Sequence, residues 1–288
     1  MRLILLIAVI VAVFAGHGTA IAASAGNAER GAYIVRLAGC ATCHTAPKGG
    51  KFLAGGLELK SPFGSFFPPN ITPDRETGIG GWSDADFVQA LRHGKSPDGK
   101  PYYPAFPYTS YTAMTNQDML DLKAYLDSIE PVSNQVPDHA LGFPFNVRAG
   151  MYVWRALFFG TRTIAPDPDQ SAAWNRGAYI VNGPGHCQEC HTPRNVFGAL
   201  HRDRAFSGNP KGPENKPVPN ITGHAKLGIK DWTVDDVVSF LQIGLKPDGD
   251  FAGGAMTDVI EDATSKLSEA DVTAIATYLK SLPAIPAE

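Results

Sequence analysis

Long apolar runs are almost absent from this 288-residue chain. Beyond the first two dozen residues no stretch is long and apolar enough to cross a membrane. Charge is sparse and leans acidic, with 25 Lys and Arg against 28 Asp and Glu for a net charge of −3. That balance argues against a nucleic-acid partner, which would call for a basic surface. Period-two alternation of apolar residues is missing too, so no strands are expected and the fold class is all-α. Cysteine is scarce: there are four in the whole chain. Glycine and proline are plentiful, at 30 and 23, so many loops should separate the helices.

The four cysteines fall into two copies of one pattern, Cys40-Ala41-Thr42-Cys43-His44 and Cys187-Gln188-Glu189-Cys190-His191. C-x-x-C-H is the attachment pattern of a c-type haem. Two thiols a helical turn apart each form a thioether with a haem vinyl group, and the adjacent histidine lies under the iron. Two covalently bound haem c groups are therefore expected, with Cys40, Cys43, Cys187 and Cys190 as attachment points and His44 and His191 as iron ligands. Two disulfides, or one zinc held by four thiolates, would use the same cysteines but leave both histidines unexplained. A covalent haem also supplies apolar core to a small, loop-rich domain.

The chain begins with Arg2, an apolar stretch from Leu3 to Phe14, and small residues after it. This is the layout of a secretory signal covering residues 1–22, with cleavage after Ala20-Ile21-Ala22 or, alternatively, Ala23-Ser24-Ala25. An uncleaved anchor is the competing reading. A periplasmic location follows, either free or peripheral to the inner membrane.

The two halves repeat each other. Arg30-Gly31-Ala32-Tyr33-Ile34-Val35 recurs as Arg176-Gly177-Ala178-Tyr179-Ile180-Val181, and Pro69-Asn70-Ile71-Thr72 as Pro219-Asn220-Ile221-Thr222. The pattern predicts helices over 28–37 and 174–181 leading to the haem cysteines. Further helices are predicted over 84–93, opened by Ser83-x-x-Asp86 and closed by Gly94, and after Thr233-x-x-Asp236 up to Gly244. Last helices are predicted after Thr115-x-x-Asp118 and Ser268-x-x-Asp271. Their tyrosines, Tyr125 and Tyr278, are expected to pack on the first helices where Gly31 and Gly177 permit close approach. The organisation is then residues 23–130 and 172–288 as two tandem c-type haem domains. A helical linker, residues 131–171, joins them. Its helix, 146–159, either packs the domains together, the preferred reading, or offers a docking surface to a partner subunit or a membrane.

The second axial ligand decides what each iron does. A methionine thioether fills the site and favours electron transfer; a histidine also fills it; an open site admits ligands. Met114 lies in a stiff loop with Pro104, Phe106, Pro107, Tyr108 and Tyr111 nearby. Met256 lies in the run Phe251-Ala252-Gly253-Gly254-Ala255-Met256, where the second copy inserts extra residues. These two are the candidate axial ligands, whereas Met119 and Met151 read as packing residues. His93, His139, His186, His201 and His224 are rivals with a simpler role at the surface or beside a haem propionate. Pro47 and Pro193 mark a stretch whose backbone carbonyls are placed to accept the Nδ1–H of His44 or His191. Trp82 and Trp232 are candidates for a propionate contact or for core packing.

Several of these residues carry a resemblance. Asn70-Ile71-Thr72-Pro73-Asp74 with Gly78-Ile79-Gly80-Gly81-Trp82, then Tyr103-Pro104-Ala105-Phe106-Pro107-Tyr108 with Met114, is one part. Phe143-Pro144-Phe145-Asn146-Val147-Arg148 and Trp174-Asn175-Arg176-Gly177-Ala178-Tyr179 continue it. The chain resembles the cytochrome c subunit of membrane-bound bacterial alcohol, gluconate and aldehyde dehydrogenase complexes. The resemblance implies His44 with Met114, and His191 with Met256, as axial pairs. It also implies a catalytic dehydrogenase as electron donor and a quinone, cytochrome or oxidase as acceptor. Members of that family usually have three C-x-x-C-H motifs and a C-terminal membrane-associating segment; two motifs and no C-terminal anchor are seen here, so a smaller two-haem carrier is expected and stable membrane attachment is not implied. The expected function is electron transfer in the periplasm, with no catalytic residue of its own. The alternative is a dihaem enzyme of peroxidase or thiosulfate-oxidising type with one open iron, invited by the displaced position of Met256.

Overall fold

A computed structural model describes residues 25–286, so the proposed signal segment lies outside the described residues. The chain is mostly helical. In the first half, α1 (Ala28–Leu37) leads into a one-turn helix α2 (Cys40–His44), followed by α3 (Asp84–His93), a short α4 (Tyr108–Tyr111) and α5 (Asn116–Ser128). Then come α6 (Gly150–Phe158), α7 (Ala172–Asn182), a one-turn α8 (Gln188–His191), α9 (Val234–Ile243), α10 (Ala255–Asp262) and α11 (Glu269–Ser281). Among the described residues no helix is long and apolar enough to cross a membrane.

The helix ends follow from local chemistry. Ser83 and Asp86 form a capping box at the start of α3, and Thr233 with Asp236 does the same for α9, each satisfying amides the first turn leaves free. Gly94 and Gly244 end these helices at φ 55° and 76°, a left-handed conformation that suits glycine. Thr115 and Ser268 cap α5 and α11 through the amides of Asp118 and Asp271. Ser171 caps α7 and carries it to Asn182, beyond both ends of the sequence-based range.

Strands, which the sequence pattern did not announce, are present. β1 (Leu59–Ser61) and β2 (Gly64–Phe66) form a hairpin, and β3 (Ala140–Leu141) pairs antiparallel with β2. With two or three residues each, they are too short to show alternation. The linker helix is also shorter than the predicted 146–159, because tight turns occupy the residues before Gly150.

Each half has its own buried core. Ile34, Val35, Leu53, Phe87, Leu91, Met114, Met119, Leu122 and Leu126 make the first. Ile180, Val181, Phe206, Val237, Leu241, Val272, Ile275 and Leu279 make the second, joined by Leu37 from the first half. In both, the first helix crosses the last at a glycine. A Cβ on Gly31 would lie 1.9 Å from the Asp121 carbonyl oxygen, and one on Gly177 would lie 1.9 Å from that of Ala274. Tyr125 and Tyr278 pack at these crossings, as expected from their positions.

The halves are joined by a reciprocal pair of contacts. Tyr33 of α1 donates to the Asp271 carboxylate at 2.7 Å and accepts from the Ser268 amide at 3.1 Å. Its counterpart Tyr179 of α7 donates to Asp118 and accepts from the Thr115 amide at 3.1 Å. Each aspartate is held from its own half as well: Arg30 meets Asp118 at 2.8 Å, and Arg176 grips Asp271 with two bonds of 2.8 Å. The repeated Arg-Gly-Ala-Tyr thus serves both roles, with arginine acting within a half and tyrosine between halves. The linker adds a third contact. Trp154 of α6 is buried and donates from Nε1 to the Phe197 carbonyl at 2.8 Å. Met151 and Phe158 pack beside it against Tyr108 and Ala199. One face of α6 therefore packs the halves together, while Tyr152, Val153 and Leu157 stay exposed on the other.

Two outcomes are expected. Gly31→Ala and Gly177→Ala should each cost about 2 kcal/mol or more, since backbone blocks the added methyl. Gly81→Ala, with nothing within 4 Å of its Cβ position, should leave the melting temperature unchanged in the same thermal scans. Burial opposes ionisation of Asp271, but bonds from Arg176 and Tyr33 outweigh it and hold the carboxyl below its ordinary pKa. A depressed carboxylate stabilises fully above its unfolded pKa, and the effect is lost as pH falls through the folded value. Asp271→Asn should therefore cost about 2 kcal/mol at neutral pH. In acid titrations of stability, the gap to the natural chain should close below about pH 4.

Candidate functional site

Each C-x-x-C-H occupies one helical turn at the end of the first helix of its half. Gly39, at φ 58°, turns the chain from α1 into α2, which holds Cys40, Cys43 and His44. Cys187 stands at the N-cap of α8, which holds Cys190 and His191. The four thiols are unpaired and half-buried. Burial pushes Cys40 and Cys187 up to about 12 and Cys190 to about 11, and raises Cys43 as well. A dithiol built for redox exchange needs the opposite shift, toward a reactive thiolate. Nor do the thiols gather at a shared metal: among the described residues no three His, Cys, Asp or Glu side chains cluster so as to hold an ion.

The histidines are oriented from the far side of the loop. His44 Nδ1 donates to the Pro69 carbonyl at 2.7 Å, and His191 Nδ1 donates to the Pro219 carbonyl at 2.8 Å. These carbonyls belong to the repeated Pro-Asn-Ile-Thr. The acceptors expected near Pro47 and Pro193 are not used, because the chain doubles back and brings the later turn under the imidazole. Burial holds both histidines below their ordinary pKa, so the rings are neutral, with Nδ1 committed and Nε2 left to bind a metal.

Residues without an obvious motif build this arrangement. Asn70 is buried; its Oδ1 accepts from the Thr72 amide and hydroxyl, and its Nδ2 donates to Thr77 and to the Val132 carbonyl. Asn220 does the same with Thr222 and the Ile285 carbonyl. Thr45 Oγ1 accepts from the Leu53 amide, and Thr192 Oγ1 from the Phe206 amide. Leu53 and Phe206 share a left-handed backbone, at φ 57° and 66°. Next to them, Gly55 and Gly208 let the Pro-Asn turn approach: a Cβ there would lie 2.6 Å and 2.9 Å from the amide nitrogens of Asn70 and Asn220. The repeated Pro-Asn-Ile-Thr was the only one of these signals visible in sequence, and it read as a landmark without a task.

The structure brings Met114 and Cys40 into one core and Met256 and Cys187 into the other. Met114 is 1% exposed, just after α4. Met256 is half-buried and belongs to α10, a helix where the glycine-rich sequence read as a loop. Met119 is core and Met151, on α6, packs against Tyr108, Trp154 and Ala199, as expected. Among the rival histidines, His93 and His201 are exposed, His224 accepts amides of its own turn, and His139 packs on Phe66 and Tyr103. His186 is not at a free surface: it is wedged between the halves. Trp82 and Trp232 are partly buried against the two cores.

No haem is part of this structure, but the donor set fits one at each motif. Neutral thiols, an imidazole with a free Nε2 and a thioether in the same apolar cluster are the groups that a covalent haem uses. Asn70→Ala should remove the acceptor of the Thr72 amide and free the turn that presents Pro69. A loss of about 2–3 kcal/mol is expected in denaturant unfolding.

The cytochrome c family model matches residues 28–130. A diheme cytochrome c-type protein of Cereibacter sphaeroides is 46% identical, over 90% of this chain and 87% of its own. The fructose dehydrogenase cytochrome subunit of Gluconobacter japonicus is 39% identical, over 89% of this chain and 52% of its own. The gluconate 2-dehydrogenase cytochrome c subunit of Pantoea cypripedii is also 39% identical, over 89% and 59%. The chain thus spans nearly all of the first relative but only half to three-fifths of the two dehydrogenase subunits. It belongs to the cytochrome c family, in the branch that includes the cytochrome subunits of bacterial fructose and gluconate dehydrogenases.

Proposed function

We propose that this chain is a dihaem electron-transfer cytochrome that serves a partner dehydrogenase. The observation that carries the reading is the pair of matched histidine bonds, His44 to Pro69 and His191 to Pro219, at 2.7 and 2.8 Å. The proposed organisation is two tandem cytochrome c-type domains, 23–130 and 172–288, joined by the linker 131–171. Cys40 and Cys43 would hold one haem and Cys187 and Cys190 the other. His44 with Met114, and His191 with Met256, would be the axial pairs. When bound, each haem supplies an iron that cycles between ferric and ferrous.

The protein's own residues keep that change simple. Pro69 and Pro219 lock the imidazole rings, which limits rearrangement when the iron changes charge. The buried Met114 loop, packed under Tyr111 and Phe106, keeps water from the first site. A dehydrogenase as donor is supported by the named roles of the relatives. A quinone, a second cytochrome or an oxidase is the proposed class of acceptor. The proposed location is the periplasm, reached by a signal in residues 1–22.

Carbon monoxide separates closed irons from open ones. The reduced natural protein should not bind it, and its oxidised form should show the long-wavelength methionine–iron band. Met114→Ala and Met256→Ala should each open one haem to carbon monoxide and reduce that band by half. Binding to the unmutated protein would contradict the closed-site reading, and an unchanged spectrum in Met256→Ala would remove Met256 as a ligand.

A further inference from the structure

The two attachment motifs touch through a small, specific junction. Ala38, two residues before Cys40, offers its carbonyl oxygen to His186 Nε2 and to the Tyr111 hydroxyl, both at 3.2 Å. The Tyr111 and His186 rings meet edge to face, with centroids 5.5 Å apart. His186 directly precedes Cys187. One hydrogen bond, from His186 to Ala38, and a few covalent bonds therefore link one attachment cysteine to the other, with the Tyr111 hydroxyl donating to the same carbonyl and its ring against His186.

Three further observations make this junction more than a packing contact. The backbone at His186 has φ 38°, in the left-handed region that side chains seldom adopt, and the matching position in the first half is Gly39 at φ 58°. The repeat thus keeps the left-handed turn and places an imidazole only on the second copy, where it faces the other motif. The junction is also braced. Glu189, inside the second C-x-x-C-H, accepts from Thr109 Oγ1 at 2.6 Å and Ser110 Oγ at 2.8 Å, both on α4 of the first half. Arg194 closes on it at 2.6 Å. These are the residues just ahead of Tyr111 and Met114. Finally, the paired Tyr33–Asp271 and Tyr179–Asp118 contacts fix the relative position of the helices that carry both motifs.

We propose that the Ala38–Tyr111–His186 junction is the route by which the two haem sites exchange electrons, with His186 as its positioning residue. This rests on the dihaem reading above. The exchange is balanced within the chain: one iron passes from ferrous to ferric as the other passes from ferric to ferrous, and no proton or other atom moves.

The test injects one electron photochemically into the fully oxidised holoprotein and follows its redistribution. The two sites are told apart by their ferric electron paramagnetic resonance signals in rapidly frozen samples. His186→Gly relieves the left-handed strain, removes the bridge, and should slow redistribution about tenfold. His186→Gln keeps a donor amide and should recover most of the rate. The methionine–iron band and the melting temperature should stay near those of the natural protein in both, which a merely structural role for His186 would not allow. Tyr111→Phe keeps the ring and removes one donor to Ala38, so it provides the same test if His186→Gly does not fold; a slower rate is again expected. An unchanged rate in the variant that folds overturns the proposal. Two closed haems that exchange no electrons in the natural protein would overturn it and leave the carrier function standing, whereas a single haem per chain would overturn both.

Discussion

Everything at the two sites depends on where the Nδ1 proton of one histidine goes. An imidazole that follows a haem cysteine has a free ring edge, and without a fixed acceptor it would rotate. Here the acceptor comes from 25 residues further along in the first half and 28 in the second. Reaching it needs a loop that closes on itself, and that demand explains the conformation of the intervening chain. Gly55 and Gly208 yield space to the incoming turn, Leu53 and Phe206 take left-handed backbone, and Asn70 and Asn220 tie the turn down from within. A single hydrogen bond thus accounts for features spread over some thirty residues of each half.

A second constraint acts between halves. Arginine and tyrosine three positions apart on α1 and on α7 lie about one turn apart along the helix, and each reaches a different aspartate. The arginine closes its own half by gripping the aspartate at the cap of the last helix, and the tyrosine reaches the equivalent aspartate of the other half. The duplication has produced a near two-fold contact inside one chain, with Leu37 crossing into the second core. The copies differ where they meet the motifs. The first places α4, with Thr109 and Ser110, against Glu189, and the second places α10 beside α2. The inserted residues before α11 thus build a helix near the other half's motif and do more than lengthen a loop.

The helices were legible because their signals are local. Ser83 with Asp86, Thr115 with Asp118, and the glycines after α3 and α9 fall where the structure uses them. The two C-x-x-C-H motifs were legible because their spacing is chemical. Three things were not. The acceptors of the histidine protons are backbone carbonyls, which any residue supplies, so sequence pointed to the nearest prolines and the fold chose later ones. The helix around Met256 begins behind Gly253 and Gly254, and glycine weakens helix propensity enough to hide it. His186 looked like a surface residue because its neighbours, Ala38 and Tyr111, come from distant parts of the chain, and no periodicity records such a meeting.

The central claim is that this chain uses both motifs in the same way. Intact-mass measurement of the protein, matured in cells able to attach haem c, tests it most directly. The mass should exceed that of the processed chain by two haems, with His44 and His191 motifs each recovered as haem-bearing peptides after proteolysis. One haem per chain, or a disulfide recovered at either C-x-x-C, would contradict it.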